Sequence, residues 1–430
     1  MTATPLRPAR QVAAIAGAVS LTAPAVLLRL SGSHPGGVTG ALIFGVAVVG
    51  AAFLLAWGAE ALQLDVSRGL ALAVLALIAV LPEYAVDFTF TYKAGSRPHK
   101  FAPLALANMT GGNRLLIGVG WAVVVLIAAR RIRSIARQEG HDGPVDTDVH
   151  LDRAAAVEIV FLAMATLYSL TLCLKHRLTI FDAVILIALY LAYAVRISRA
   201  PATKPELVGP ALLLGRLRTR TRRLAVGTTL GYAALVIFLS AEPFAVSLVQ
   251  TGRTFGISTF LLVQWLAPLA SEAPELIVAG LFAWRLNTNA GLGTLVSSKV
   301  NQWTLLVGTL PIVFVVAGGV GRGLPLDSLQ REELFLTAAQ SAFAVAVLAS
   351  RSISVREALA LFGLFISQFV VGALLPAGLH HWERIGVGVI YLVLAAVMLV
   401  IQRRSIRPLV RDGLFLPVTD LVHIDSSAPA

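Results

Sequence analysis

Twelve apolar runs of about 18 residues or more divide this 430-residue chain, and each is long enough to cross a bilayer as a helix. They cover about 11–30, 39–62, 69–92, 101–129, 154–174, 178–198, 223–250, 257–284, 290–317, 333–350, 355–376 and 382–402. Only 13% of the residues are charged and the mean hydropathy is +0.81, values that exclude an ordinary soluble domain. A membrane β-barrel would show short alternating segments, and the sequence has none. The expected fold is therefore an all-α polytopic membrane protein with about twelve transmembrane helices.

The net charge of +12 follows from where the basic residues sit and does not point to nucleic acid. With both termini placed in the cytoplasm, 23 of the 35 Lys and Arg residues fall in inside loops and ten outside. The remaining two, Arg114 and Lys299, lie within membrane runs. This asymmetry supports the twelve-helix topology and a cell inner (plasma) membrane location. The basic cluster Arg216–Arg223 reads as part of that topology signal, with anionic lipid as its other use. A single cysteine, Cys173, excludes a disulfide framework and a thiolate metal cluster. The first run, with Arg7 and Arg10 before it and Ala23-Pro24-Ala25 inside it, shares features with a cleaved signal peptide. Its length favours a retained helix.

Two distant stretches look like edited copies. Leu81-Pro82-Glu83-Tyr84-Ala85-Val86-Asp87 is followed by Asn108-Met109-Thr110-Gly111-Gly112-Asn113, and Ser271-Glu272-Ala273-Pro274-Glu275 by Ser297-Ser298-Lys299-Val300-Asn301. The offset is 192 residues between the Pro-Glu pairs and 188 between Asn113 and Asn301. Glu83 falls on the third run and Glu275 on the eighth. An odd displacement makes the copies run oppositely through the membrane, as in transporters built from inverted repeats. The expected organisation is an extra helix (1–36), a first five-helix repeat (37–198), a basic linker (199–222), a second repeat (223–376), and a last helix with a tail (377–430).

Carboxylates at membrane depth are costly and need a partner or a wet cavity. Glu83 and Asp87 share one helix face, as do Glu272 and Glu275. Pro82 and Pro274 each remove an N–H and loosen a carbonyl one turn back. Asn108, Thr110 and Asn113 in one copy, and Ser298, Asn301 and Thr304 in the other, add amides and hydroxyls. Hard cations want such oxygens; helix–helix hydrogen bonding is the plain alternative for any one of them.

These motifs resemble the α-repeats of the calcium/cation antiporter superfamily, which includes sodium/calcium exchangers. Its repeats read approximately Gly-Thr-Ser-Leu-Pro-Glu, then Gly-Asn-x-x-Gly-Ser-Asn-x-x-Asn/Asp. The resemblance implies that Glu83 and Glu275 bind the ion and that Asn113 and Asn301 stand beside it. Gly58-Ala59-Glu60 and Ala241-Glu242 resemble the start of the preceding family helix, though both also read as helix-end residues. The departures are specific. Ala79-Val80 replaces two hydroxyl residues, Ser271-Glu272 adds a carboxylate, and Leu116 and Thr304 replace the final Asn/Asp. Lys299 stands where the family has glycine, and Arg114 follows Asn113. A buried lysine either neutralises a carboxylate, with Glu272 the natural partner, or exchanges protons. The alternative is that it snorkels to an interface.

The reading is a secondary active antiporter exchanging calcium against sodium or protons by alternating access. Its metal ligands would be Glu83 and Glu275, surrounded by Asp87, Glu272, Asn113, Asn301, Thr304, Asn108 and Ser298, with Lys299 the coupling candidate. A monovalent cation/proton exchanger on the same scaffold is the near alternative, and a non-transporting ion-binding sensor or scaffold the distant one. No enzyme motif stands at membrane depth, so no enzyme activity and no cofactor are expected beyond the transported Ca²⁺, Na⁺ or H⁺. The expected partners are inorganic cations and the lipid bilayer.

Overall fold

In lipid every backbone group must be paired within the protein, which leaves helices for a chain of this composition. The computed structural model describes residues 8–33, 35–65, 81–140, 143–199, 207, 209–256, 258–320 and 323–423. The first half holds α1 (Pro8–Leu30), α2 (Gly37–Leu62), α3 (Leu81–Ser96), α4 (Pro98–Leu115), α5 (Ala122–Gln138), α6 (Ala156–Leu172) and α7 (Ile180–Ile197). After the short α8 (Ala211–Gly215) come α9 (Thr219–Phe255), α10 (Thr259–Trp284), α11 (Thr288–Asn301), α12 (Val307–Val316), α13 (Ser328–Val347) and α14 (Val355–Leu374). The chain then runs through α15 (His380–Ile401), α16 (Arg403–Leu414) and α17 (Val418–His423).

Ten helical spans among the described residues are long and apolar enough to cross a membrane, and they coincide with ten of the twelve expected runs. The run 355–376 is helical as α14. The run 69–92 begins in 66–80, outside the described residues, as do Ala79-Val80; its remainder lies in α3. Lys204 and the prolines 201 and 205 of the basic linker also lie outside.

Two short antiparallel ribbons fix the topology. β1 (Val149–His150) pairs with β4 (Ser352–Ile353), and β2 (Arg177–Thr179) with β3 (Gly323–Pro325). Six membrane-length passes separate β1 from β4 and four separate β2 from β3, so each pair meets on one side. A single pass, α6, separates β1 from β2, which puts the ribbons on opposite sides. Exchanging α6 with α13 and α7 with α14 turns one ribbon into the other, the relation expected of inverted repeats. The helices that leave the ribbons start on built-in caps. Thr179 with Asp182, Asp327 with Gln330 and Ser354 with Glu357 each form a reciprocal capping box.

The chain folds into two compact units, each drawing on both repeats. One comprises 1–112, 202–275 and 313–320, the other 113–201, 276–312 and 321–430. In the first, α2 packs along α9, and Phe44, Leu54, Leu55, Phe244 and Leu248 form its core. In the second, α13 lies against α15 and α6, while α16 closes over α6.

That last contact is held by charge. Arg153 donates to both oxygens of Asp412, at 2.6 and 3.0 Å, and Asp412 is only 2% exposed. The guanidinium holds the Asp412 carboxyl below the usual carboxylate range. A depressed pKa contributes stability above the unfolded value and loses it as the pH falls through the folded one. Asp412→Asn should therefore destabilise the protein by about 2 kcal/mol at neutral pH, the scale of hydrogen bonds to a charged group. Thermal unfolding in detergent should show that deficit shrinking below a pH of about 4; a deficit unchanged by acid would refute the assignment.

Candidate functional site

The carboxylates gather in the first unit. Glu83 and Asp87 stand one turn apart on α3 and are both buried. Glu272 and Glu275 lie on α10, the first buried and the second half-buried. Pro268 and Pro274 deprive α10 of two amide donors. Near the first, the Ser271 hydroxyl donates to the carbonyls of Ala267 and Pro268 at 3.3 and 3.2 Å. The Glu272 carboxyl lies within hydrogen-bonding reach of both Glu83 and Glu275. Carboxylates this close repel one another unless protons or a cation lie between them.

Beside this cluster Asn108 donates from Nδ2 to Asp87 Oδ1 at 2.9 Å. The remaining oxygens of that pair, Asp87 Oδ2 and Asn108 Oδ1, are buried and accept no hydrogen bond among the described residues. Such oxygens suit a hard cation, and leaving them unmet in an apolar interior is costly. Among the described residues no group of three or more His, Cys, Asp or Glu side chains is arranged as a ready metal cage. The carboxyls of Glu83, Glu272 and Glu275 lie close enough for their charges to act on one another.

The second unit holds the other expected residues. Asn113 is fully buried and Asn301 is 4% exposed. Each is followed closely by a π segment, Leu116–Trp121 in the first repeat and Gln302–Leu306 in the second. π turns displace the usual backbone pairing and frequently mark functional sites. Here carbonyls at the entrance accept from side chains. Lys299 Nζ donates to both the main-chain and the side-chain oxygen of Asn113, each at 2.6 Å, and Gln340 Nε2 donates to the Arg114 carbonyl at 3.3 Å. Lys299 is wholly buried with its ammonium 5.4 Å from the centre of the Trp303 ring, so the snorkelling alternative is excluded. The described hydrogen bonds give Lys299 the oxygens of Asn113. Thr304 Oγ1 donates to the Val300 carbonyl at 2.6 Å, Thr110 Oγ1 to that of Leu106 at 2.7 Å, and Ser298 Oγ is buried with no partner among the described residues. Glu242 is largely exposed and pairs with Lys93 at 2.7 Å, as a helix-end residue would.

Sequence reasoning missed two carboxylates of the second unit, the buried Glu333 and the half-buried Glu158. Glu333 takes Arg114 Nη1 at 2.8 Å, with both side chains nearly inaccessible. Glu333 opens an apolar run after Arg331 and Glu332, so it reads as a helix-end charge. Glu158, in the first turn of α6, lines a cavity of about 120 Å³ together with Asp152, Asn289 and Gly293. Its Oε2 has no hydrogen-bond partner among the described residues. One isolated glutamate at the start of an apolar run gives no signal of either fact.

With this geometry in view, the comparisons converge. The sequence profile described as sodium/calcium exchanger protein matches residues 37–198 and 226–373. The chain belongs to this family, and so to the calcium/cation antiporters that its repeats resemble. The crystal structure of the H⁺/Ca²⁺ exchanger CAX is 41% identical, with a TM-score of 0.85 over 96% of this chain and 99% of that one. Native YfkE is 14% identical at a TM-score of 0.58, covering 86% of this chain and 99% of its own. The sodium–calcium exchanger NCX_Mj, soaked with Na⁺ and Sr²⁺, is 14% identical at 0.50 over 78% and 98%. These last two likenesses show the fold alone. No curated protein sequence matches the chain.

One contact in the first unit offers a test independent of transport. A Cβ on Gly111 would overlap the backbone carbonyl of Gln264 on α10, and a backbone atom cannot swing away as a side chain does. Gly111→Ala should cost about 1–3 kcal/mol, the usual scale of overpacking. An unfolding temperature equal to wild type would show that the two helices do not approach so closely.

Proposed function

We propose that this antiporter exchanges calcium for protons, and that Glu83, Glu272 and Glu275 bind either one. The observation that carries the reading is the close meeting of the three glutamates. Carboxyls held this close need protons or a cation among them, and the same oxygens, once deprotonated, suit calcium. Competition for one set of oxygens makes the two cations mutually exclusive, which is the condition for exchange when access alternates between the membrane faces. The 41% identical CAX is an H⁺/Ca²⁺ exchanger, which agrees with this reading.

Asp87 and Asn108 extend the oxygen set, and Asn113, Asn301, Thr304 and Ser298 form its counterpart in the second unit. Lys299 is the coupling residue in this reading. Its ammonium is held by a carbonyl oxygen and an amide oxygen, donors that a sodium ion would also accept. A resident ammonium in that role removes the need for sodium. The inside-positive charge bias favours cytoplasmic termini and a cell inner membrane location.

Proteoliposomes with separately imposed proton and sodium gradients test the coupling. Glu83→Gln and Glu275→Gln should each lower calcium flux at least about tenfold, since a full charge at a binding site outweighs about 1.4 kcal/mol. Near-normal flux in both variants would remove these residues from the site. Lys299→Gly should weaken the pH dependence and introduce a dependence on sodium, and Lys299→Arg should not restore the wild-type profile, because a planar guanidinium cannot set a compact point charge between the two oxygens of Asn113. Unchanged pH and sodium profiles for Lys299→Gly would reduce Lys299 to a structural tie.

A further inference from the structure

The chain leaves the apolar α15 through Gln402 and turns at once into α16. Positions 403, 407, 411 and 415 recur one turn apart, so Arg403, Arg407, Arg411 and Phe415 line one stripe, with Arg404 beside it. All five are exposed, Phe415 to 75%. Arg403, Arg404 and Arg407 make no hydrogen bond or ion pair among the described residues.

The opposite face is anchored to the protein. Leu409, Asp412 and Gly413 are buried. Asp412 is gripped by Arg153, and Arg196 donates to the carbonyls of Asp412 at 3.0 Å, Leu416 at 2.7 Å and Gly413. A Cβ on Gly413 would press against Val160 at 2.6 Å, so the helix seats closely on α6. The inner face thus fixes the helix. Of the outer arginines, Arg411 reaches Asp412 at 3.4 Å, while Arg403, Arg404 and Arg407 have no such contact among the described residues.

From this arrangement we infer that the outer face of α16 is a docking surface for anionic phospholipid headgroups. Val400 and Ile401, which end α15, are 67% and 68% exposed, placing the edge of the apolar belt directly before Arg403. A helix leaving that edge with a basic stripe and an exposed phenylalanine has the make-up of an interfacial helix. Anionic headgroups supply the opposite charge at that depth. Because Asp412 and Gly413 lock α16 to α6 and to the end of α7, lipid held on the outer face also steadies the second unit.

The test uses the full-length protein in detergent, titrated with phosphatidylglycerol or phosphatidylcholine while its unfolding temperature is followed. Phosphatidylglycerol should raise the wild-type midpoint by several degrees more than phosphatidylcholine. The triple variant Arg403→Ala/Arg404→Ala/Arg407→Ala, which leaves the Asp412 anchor intact, should respond equally to both lipids. Arg407→Glu alone should halve the preference or more, and it covers the case in which the triple variant does not fold. A preference retained in these variants would overturn the proposal. So would inorganic phosphate reproducing the full shift, since the surface would then serve a free anion. A soluble protein binding the stripe while the lipid preference is absent would equally count against it.

Discussion

The costliest constraint on this molecule is carboxyl groups held together in a medium that does not solvate them. Glu83, Glu272 and Glu275 come from two helices and meet within hydrogen-bonding distance. Such a cluster persists only while positive charge, as protons or as a metal ion, lies among its oxygens. Much of the first unit serves to hold it. The prolines of α10 remove amide donors beside the glutamates, Asn108 holds Asp87, and Gly111 permits α4 to approach α10 closely. An arrangement that always needs positive charge among its oxygens is the starting condition for an exchanger.

Lys299 illustrates a different solution to the same problem. An ammonium tethered to the chain presents to Asn113 a charge that needs no gradient to arrive and cannot leave. The neighbouring Arg114–Glu333 pair, fully enclosed, balances its own charges. Removing either member would leave the other as an uncompensated charge.

Much of this was legible in the sequence because it rests on local pattern. Apolar runs mark the helices, the offset Pro-Glu pairs mark the repeats, and carboxylates inside apolar runs mark the site. The capping boxes at Thr179, Asp327 and Ser354 are readable as short spacings. What was not legible depends on contacts distant in sequence. Nothing local ties Lys299 to Asn113, 186 residues away, or Arg114 to Glu333, 219 residues away. The π segments carry no compositional mark, since Leu116–Trp121 and Gln302–Leu306 read as ordinary apolar helix. Strands of two or three residues are likewise too short to show the alternation that would betray them.

The ribbons bear on how such a molecule can move. β1–β4 and β2–β3 each tie a segment of the first repeat to a segment of the second, one on each side of the membrane. Within the second unit, neither repeat can therefore shift while the other stays still without breaking backbone hydrogen bonds. The ribbons thus rivet pieces of both repeats into a single mechanical body within the second unit.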